Sequence, residues 1–237
     1  MISLEKFLSE YNIQKVKEVE HHDPQFLALE NCWLEIKDKD KDLFSFLVIQ
    51  CALVSYQIAW SGELRRTEFW EKVQNDRDVL KNMRDNDQLN TEWWFDFLRT
   101  SKNNKRIYNI KKSRIEKSNR ILDIEKDFFK YYNNLEELNK ILAKMMNTQL
   151  YSKTIVFAVK MFGYACSIIS WKDIDYPMSI NIPVDSRLKK IYVINENKDP
   201  INELEICDYF WNLSKKFQIP PLDLDAILWL DYRKIMK

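Results

Sequence analysis

Glycine is almost missing: the 237 residues contain two, Gly62 and Gly163. A phosphate-cradling Walker loop or a dinucleotide-binding turn needs clustered glycines to bring backbone N–H groups against phosphate, so both are excluded. The same shortage disfavours β-hairpins with tight primed turns. Histidine is as scarce, limited to the adjacent pair His21 and His22. A Ser-His-Asp triad would have to use one of them, and no nucleophile motif accompanies either. Cys32, Cys51, Cys166 and Cys207 are isolated, with no CxxC pair, which makes a poor zinc site. They read as reduced thiols packed in helices of a cytosolic protein. No metal or other cofactor is expected. Charge of one sign is also lacking, with a formal net charge of +1. Any nucleic-acid surface must therefore come from segregated charge.

What is present is apolar and helical. Hydrophobic residues make up 46% of the chain, which argues against disorder and for a sizeable core. The start, Met1 to Lys6, has no basic segment followed by an apolar run, so no secretory signal is expected. Residues 43 to 62 carry no charge, but Ser45, Gln50, Ser55, Tyr56 and Gln57 interrupt them. A core helix over 43–60 explains that stretch better than a membrane span. Leu4, Phe7, Leu8 and Tyr11 give an amphipathic first helix. Asp23-Pro24 reads as N-cap and first residue of a second. Lys37 to Asp42 alternates charge and reads as a solvated loop. Further helices are expected near 64–82, 91–99, 135–146, 153–170, 184–195, 201–217 and 221–235, with Ser152 able to cap the helix that follows it. No strand pattern and no repeat appears. Segments 1–125 and 196–237 are expected to form one helical lobe, and 126–195 a central one.

Residues 102–120 hold Lys102, Lys105, Arg106, Lys111, Lys112, Arg114, Lys117 and Arg120 against one acid, Glu116. That segregated charge suits phosphate contact, where each neutralised phosphate releases counterions. It suits a solvated helix face equally well.

Two fragments carry chemistry. Lys153, in Ser152-Lys153-Thr154-Ile155-Val156-Phe157, sits where a buried helix begins. The positive end of the helix dipole disfavours an ammonium there, and the neutral amine is the nucleophilic form. Asp185, in Ile182-Pro183-Val184-Asp185-Ser186-Arg187, sits at another helix start, where the dipole favours a carboxylate. A primary amine and an ionised carboxylate can together carry out imine chemistry on a sugar. The ordinary alternatives are an exposed lysine and a helix-capping aspartate.

Set beside Asp23-Pro24-Gln25-Phe26, Val54-Ser55-Tyr56, Phe69-Trp70 and Ile219-Pro220-Pro221-Leu222-Asp223-Leu224-Asp225-Ala226-Ile227-Leu228-Trp229-Leu230, these fragments resemble the archaeal GO glycosylase (AGOG) family. That family of 8-oxoguanine DNA glycosylases looks like a divergent branch of the helix-hairpin-helix superfamily. The matching segments fall in order across nearly the whole chain. The resemblance implies an all-α, two-lobed fold of the helix-hairpin-helix DNA glycosylase type, with DNA in the cleft. It implies a bifunctional enzyme in which Lys153 is the Schiff-base lysine and Asp185 the catalytic aspartate. It implies a pocket for an extruded base lined by Gln25, Ser55, Trp70, Phe157, Asp225 and Trp229. The partner would be double-stranded DNA containing 8-oxoguanine, met by a cytoplasmic, nucleoid-associated monomer with no membrane attachment.

Each pocket residue also has an ordinary role. The aromatics suit a core, Ser55 can bond its own helix, Gln25 can face water, and Asp225 favours a helix N-terminal turn. The hairpin segment Met146 to Tyr151 lacks the superfamily's glycine, and Asn147 is its residue best suited to a left-handed backbone. The four-cysteine spacing of an iron–sulfur cluster is also missing. A non-catalytic helical DNA-binding or adaptor protein is the competing class, supported by the basic stretch.

Overall fold

Apolar residues spaced three and four apart set the architecture, and every regular element among the described residues is helical. The computed structural model describes residues 3–36, 40–55, 62–76, 83, 86–102, 106–122 and 127–236. In chain order the helices are α1 (Leu4–Leu8), α2 (Ile13–His21), α3 (Pro24–Glu35), α4 (Lys41–Leu53), α5 (Gly62–Asn75), α6 (Asp87–Thr100) and α7 (Tyr108–Leu122). A 3₁₀ segment, Phe128–Asn133, leads into α8 (Leu135–Met146) and α9 (Lys153–Ser170). The chain then continues through α10 (Ser186–Glu196), α11 (Glu203–Phe217), α12 (Pro221–Leu230) and α13 (Tyr232–Ile235).

The helix starts are written in the sequence. Asp23 caps α3, accepting from Gln25 N, and Pro24 follows at the first helical position. Asp185 caps α10 in the same way. Without glycine, helix ends are turned by other residues: Asn147, Trp171, Asn197 and Gln218 all adopt left-handed backbone. Asn147 (φ 51°, ψ 57°) closes α8, and Thr148 N reaches back to Ala143 O at 3.0 Å. Asn tolerates this conformation better than other side-chain-bearing residues, so the connection to α9 folds without glycine.

Some boundaries differ from expectation. The uncharged helix starts earlier, at Lys41, because Asp40 accepts from Asp42 N and Leu43 N. Asp42, expected in a solvated loop, is a helical residue whose carboxylate accepts from Phe129 N at 2.9 Å. Lys37 to Lys39 lie outside the described residues. That helix also ends early, at Leu53, where Arg114 Nη1 caps the Leu53 carbonyl at 2.9 Å. Residues 56–60 of the expected helix, and 77–82 of the next, lie outside the described residues. Ser152 holds the N-cap position of α9 without making a side-chain cap bond; its hydroxyl pairs with Thr148 Oγ1 at 2.6 Å. The basic stretch is partly structural. Lys111 is fully buried, Arg114 caps α4, and Lys112 lies 4.5 Å from the centre of the Phe95 ring.

Helix α9 has the length and apolarity of a membrane span, yet most of it is buried inside the protein. It packs on α3, α4 and α8 at the centre of a hydrophobic cluster running from Phe26 to Ile180 and including Leu222. A second cluster joins α1 and α2 to residues after 181, from Ile182 to Ile235. The hydrophobic core therefore divides near residue 181, and the N-terminal helices join the C-terminal side. Gly163 lies in the middle of α9 because Tyr176 crosses there: a Cβ at this position would overlap the phenol ring. The Tyr176 hydroxyl donates to Lys160 O at 2.8 Å.

Candidate active site

A cavity of about 300 Å³ opens where the two clusters meet, within the range of about 300–1,000 Å³ typical of small-molecule sites. Gln25 on α3, Ser55 after α4, Trp70 on α5, and Lys153 and Phe157 on α9 line it from one side. Asp185 at the start of α10, with Asp225 and Trp229 on α12, lines it from the other. All eight residues singled out from the sequence thus share one cavity, although they run from position 25 to position 229.

Helical spacing explains the local arrangement. Lys153, Phe157 and Lys160 follow one another at four and three residues, so one stripe of α9 faces the same way. Asp225 and Trp229 are paired likewise on α12. Lys153, the first residue of α9, is exposed. Asp185 uses Oδ1 to accept from Arg187 N at 2.8 Å and Leu188 N at 3.0 Å. These bonds hold the carboxylate at the cavity wall and leave Oδ2 for other work.

Pocket and ordinary roles overlap in this wall. Trp70 is 5% exposed, with Phe69 edge-on at 4.5 Å and Phe44 at 5.6 Å; it is core on one side and wall on the other. The Ser55 hydroxyl donates to Cys51 O at 2.5 Å. Its oxygen can still accept from a ligand. Gln25 is 6% exposed and does not face bulk water. Its backbone N–H donates to Asp23 Oδ1 at 2.8 Å.

Two residues missed in the sequence stand behind this set. Lys160, 1% exposed, donates to Asp225 Oδ2 at 2.6 Å. Burial opposes its charge, but Asp225, Asp23 and Glu20 outweigh that and keep the ammonium above its ordinary range. Burial raises the Asp225 carboxyl, Lys160 pulls it down, and the charges of Asp185 and Asp23 push it up, leaving it above the usual carboxylate range. The four-and-three spacing from Lys153 was the only sequence signal for Lys160. Arg187 also lines the cavity, with its guanidinium 4.8 Å from the Trp229 ring centre and 5.8 Å from Tyr232. That stacking steadies one aromatic wall and places positive charge at its edge.

The four cysteines are buried free thiols. Burial pushes Cys32 up to about 12 and Cys166 well above its ordinary value. Neither is poised for nucleophilic work.

An all-helical body with an aromatic-walled cavity of this size is what a DNA glycosylase, which draws a base out of the helix to act on it, requires. More narrowly, the chain belongs to the AGOG family of N-glycosylase/DNA lyases, whose family model matches residues 5–237. An N-glycosylase/DNA lyase from Methanococcus maripaludis is 39% identical over 221 residues, covering 92% of this chain and 81% of that protein. One from Nanoarchaeum equitans is 37% identical over 230 residues, covering 96% and 89%. A crystal structure of Pa-AGOG, an 8-oxoguanine DNA glycosylase from Pyrobaculum aerophilum complexed with 8-oxoguanosine, has the same fold. Its TM-score is 0.77 at 23% identity, covering 97% of this chain and 86% of that one. The protein is thus an enzyme, a DNA N-glycosylase with lyase activity, and the non-catalytic adaptor reading falls.

Proposed function

We propose that the enzyme removes 8-oxoguanine from double-stranded DNA and then cuts the strand at the resulting site. The observation that carries this reading is the meeting of Lys153, Asp185 and three aromatic side chains around one cavity. The extruded base stacks against Trp70, Phe157 or Trp229. Gln25 offers a donor and an acceptor to the base edge, and Ser55 an acceptor. Asp225 accepts from ring N–H groups. An 8-oxo purine has an N7–H that guanine lacks, so one well-placed acceptor separates lesion from normal base.

The neutral amine of Lys153 attacks C1′. Its lone pair forms the C1′–N bond while the C1′–N9 electrons leave with the base, which takes up a proton. Asp185 receives a proton from the attacking amine and stabilises positive charge on the sugar. Ring opening gives an imine. Loss of a C2′ proton then expels the 3′ phosphate by β-elimination, and water releases the lysine. The enzyme works as a monomer on nucleoid DNA. In the same reading duplex DNA lies across the cleft.

Borohydride trapping on an 8-oxoguanine duplex tests the assignment. Wild type gives a covalent adduct and Lys153→Ala gives none. Full trapping by Lys153→Ala would refute the lysine's role.

A further inference from the structure

Buried charge that this chemistry does not use lies next to the pocket. Lys17 and Glu20 come from α2 and Asp223 from the first turn of α12, with exposures of 8%, 3% and 0%. Lys17 Nζ donates to Glu20 Oε2 at 2.9 Å and to Asp223 Oδ1 at 2.5 Å. The other two carboxyl oxygens, Glu20 Oε1 and Asp223 Oδ2, are buried and meet no hydrogen-bond partner among the described residues. Two carboxylates on one ammonium leave a negative charge out of reach of solvent, which is costly. One proton on the pair neutralises the trio and converts an orphaned acceptor into a donor.

The surroundings favour that proton. Lys160 faces the pair and Tyr164 faces Glu20 from α9, Tyr176 faces both carboxyls and Asp175 faces Asp223 from the segment after α9, and Asp23 at the cap of α3 faces Lys160, Tyr164 and Tyr176. Tyr176 also lies under Lys17, 4.7 Å from Nζ to its ring centre. Lys160 is the one further cation in this set, and it is already bonded to Asp225. Burial and the charge of Asp223 push Glu20 up to about 8 against the pull of Lys17 and Lys160. Burial raises Asp223 as well.

We propose that Lys17, Glu20 and Asp223 form a positioning unit: by holding one proton between the two carboxyls, they lock α2 to the first turn of α12 and so fix Asp225 and Trp229 in the pocket wall. None of the three lines the cavity. They act through α12, since Asp225 and Trp229 lie two and six residues beyond Asp223 on the same ten-residue helix. When the proton leaves, two anions share one buried cation. The attachment of α12 loosens, and the wall that grips the base loosens with it. The inference rests on the function proposed above.

The test compares wild type with Glu20→Gln, whose amide supplies a permanent donor, in steady-state release of 8-oxoguanine from duplex between about pH 6 and pH 9.5. Wild-type KM is expected to rise about threefold or more above about pH 8, with a much smaller change in kcat. Glu20→Gln is expected to match wild-type KM within about twofold at about pH 6.5 and to lose the alkaline rise. An alkaline rise of the same size in both proteins overturns the proposal. So does a change in the thermal midpoint of Glu20→Gln with the wild-type KM profile retained. Should wild type release no base even at about pH 6.5, the proposed function fails instead. The proton is then read directly in the wild-type protein by ¹³C NMR of the Glu20 carboxyl. A midpoint above about 6.5 supports the shared proton and one below it refutes it.

Discussion

Lys160 donates to Asp225 at 2.6 Å behind the pocket wall, joining α9 to α12. Neither side chain has appreciable access to solvent. Removing one partner of such a pair leaves the other charge buried and alone. Lys160→Met should therefore lower unfolding free energy by about 3–5 kcal/mol. Pairing it with Asp225→Asn should restore much of that stability without restoring base release. Urea denaturation beside a single-turnover assay separates the two effects.

Asp185 caps α10 and, in the proposed reaction, takes the proton of the attacking amine, and two substitutions divide these roles. Asparagine keeps an oxygen for the Arg187 and Leu188 N–H groups, so Asp185→Asn should stay within about 0.5 kcal/mol of wild-type stability. It should still lose base release about a hundredfold, equivalent to about 2.7 kcal/mol of barrier. Asp185→Ala should lose both activity and about 1 kcal/mol of stability. Activity of Asp185→Asn within threefold of wild type would remove the carboxylate from the chemistry.

Stability should fall with rising pH because of Glu20. Its carboxyl is raised to about 8 in the folded protein, from 4.5. Between those values the folded state binds more protons than the unfolded state. The contribution is therefore complete below about pH 4.5 and is lost as pH rises through about 8. Calorimetric midpoints from about pH 6 to pH 9 should drop for wild type and change less for Glu20→Gln. A flat wild-type profile would contradict the buried proton.

Gly163→Ala places a methyl group inside the Tyr176 ring. Overpacking of this kind costs about 1–3 kcal/mol, and the loss should outweigh the gain in helix propensity. Denaturant unfolding of Gly163→Ala, alone and with Tyr176→Ala, checks this. The second change should recover part of the first loss.

Asn147 offers a substitution of opposite sign. Its left-handed backbone suits glycine, so Asn147→Gly should leave stability unchanged or raise it slightly. Asn147→Ala should cost about 1 kcal/mol. Equal stability of the three would mean that the turn relaxes when the residue changes.

Local signals made the helices, their caps and the chemistry-bearing residue types legible. Asp23-Pro24 and Asp185 start helices through bonds to N–H groups two and three residues away. The three-and-four spacing of apolar side chains marks α8, α9 and α11. Asn147 stands out as a helix stop because no glycine is near. The end of α4 was not legible, since the Leu53 carbonyl is capped by Arg114, 61 residues later. For the same reason part of the basic stretch faces inward: Lys111 and Arg114 are committed to the interior by packing that charge counting does not detect.

The sequence by itself determined an all-helical chain, the absence of glycine-built phosphate loops and the family pattern that singled out eight residues. Only the tertiary structure decided that those eight share a cavity where two hydrophobic clusters meet. It alone showed that Lys160 neutralises Asp225 across 65 residues and that Lys17 meets Asp223 across 206. Backbone hydrogen bonds and helical periodicity act over three or four residues, so sequence patterns record them. Burial of charge depends on which distant helices pack together, and a buried ion selects its partner only once water has been excluded.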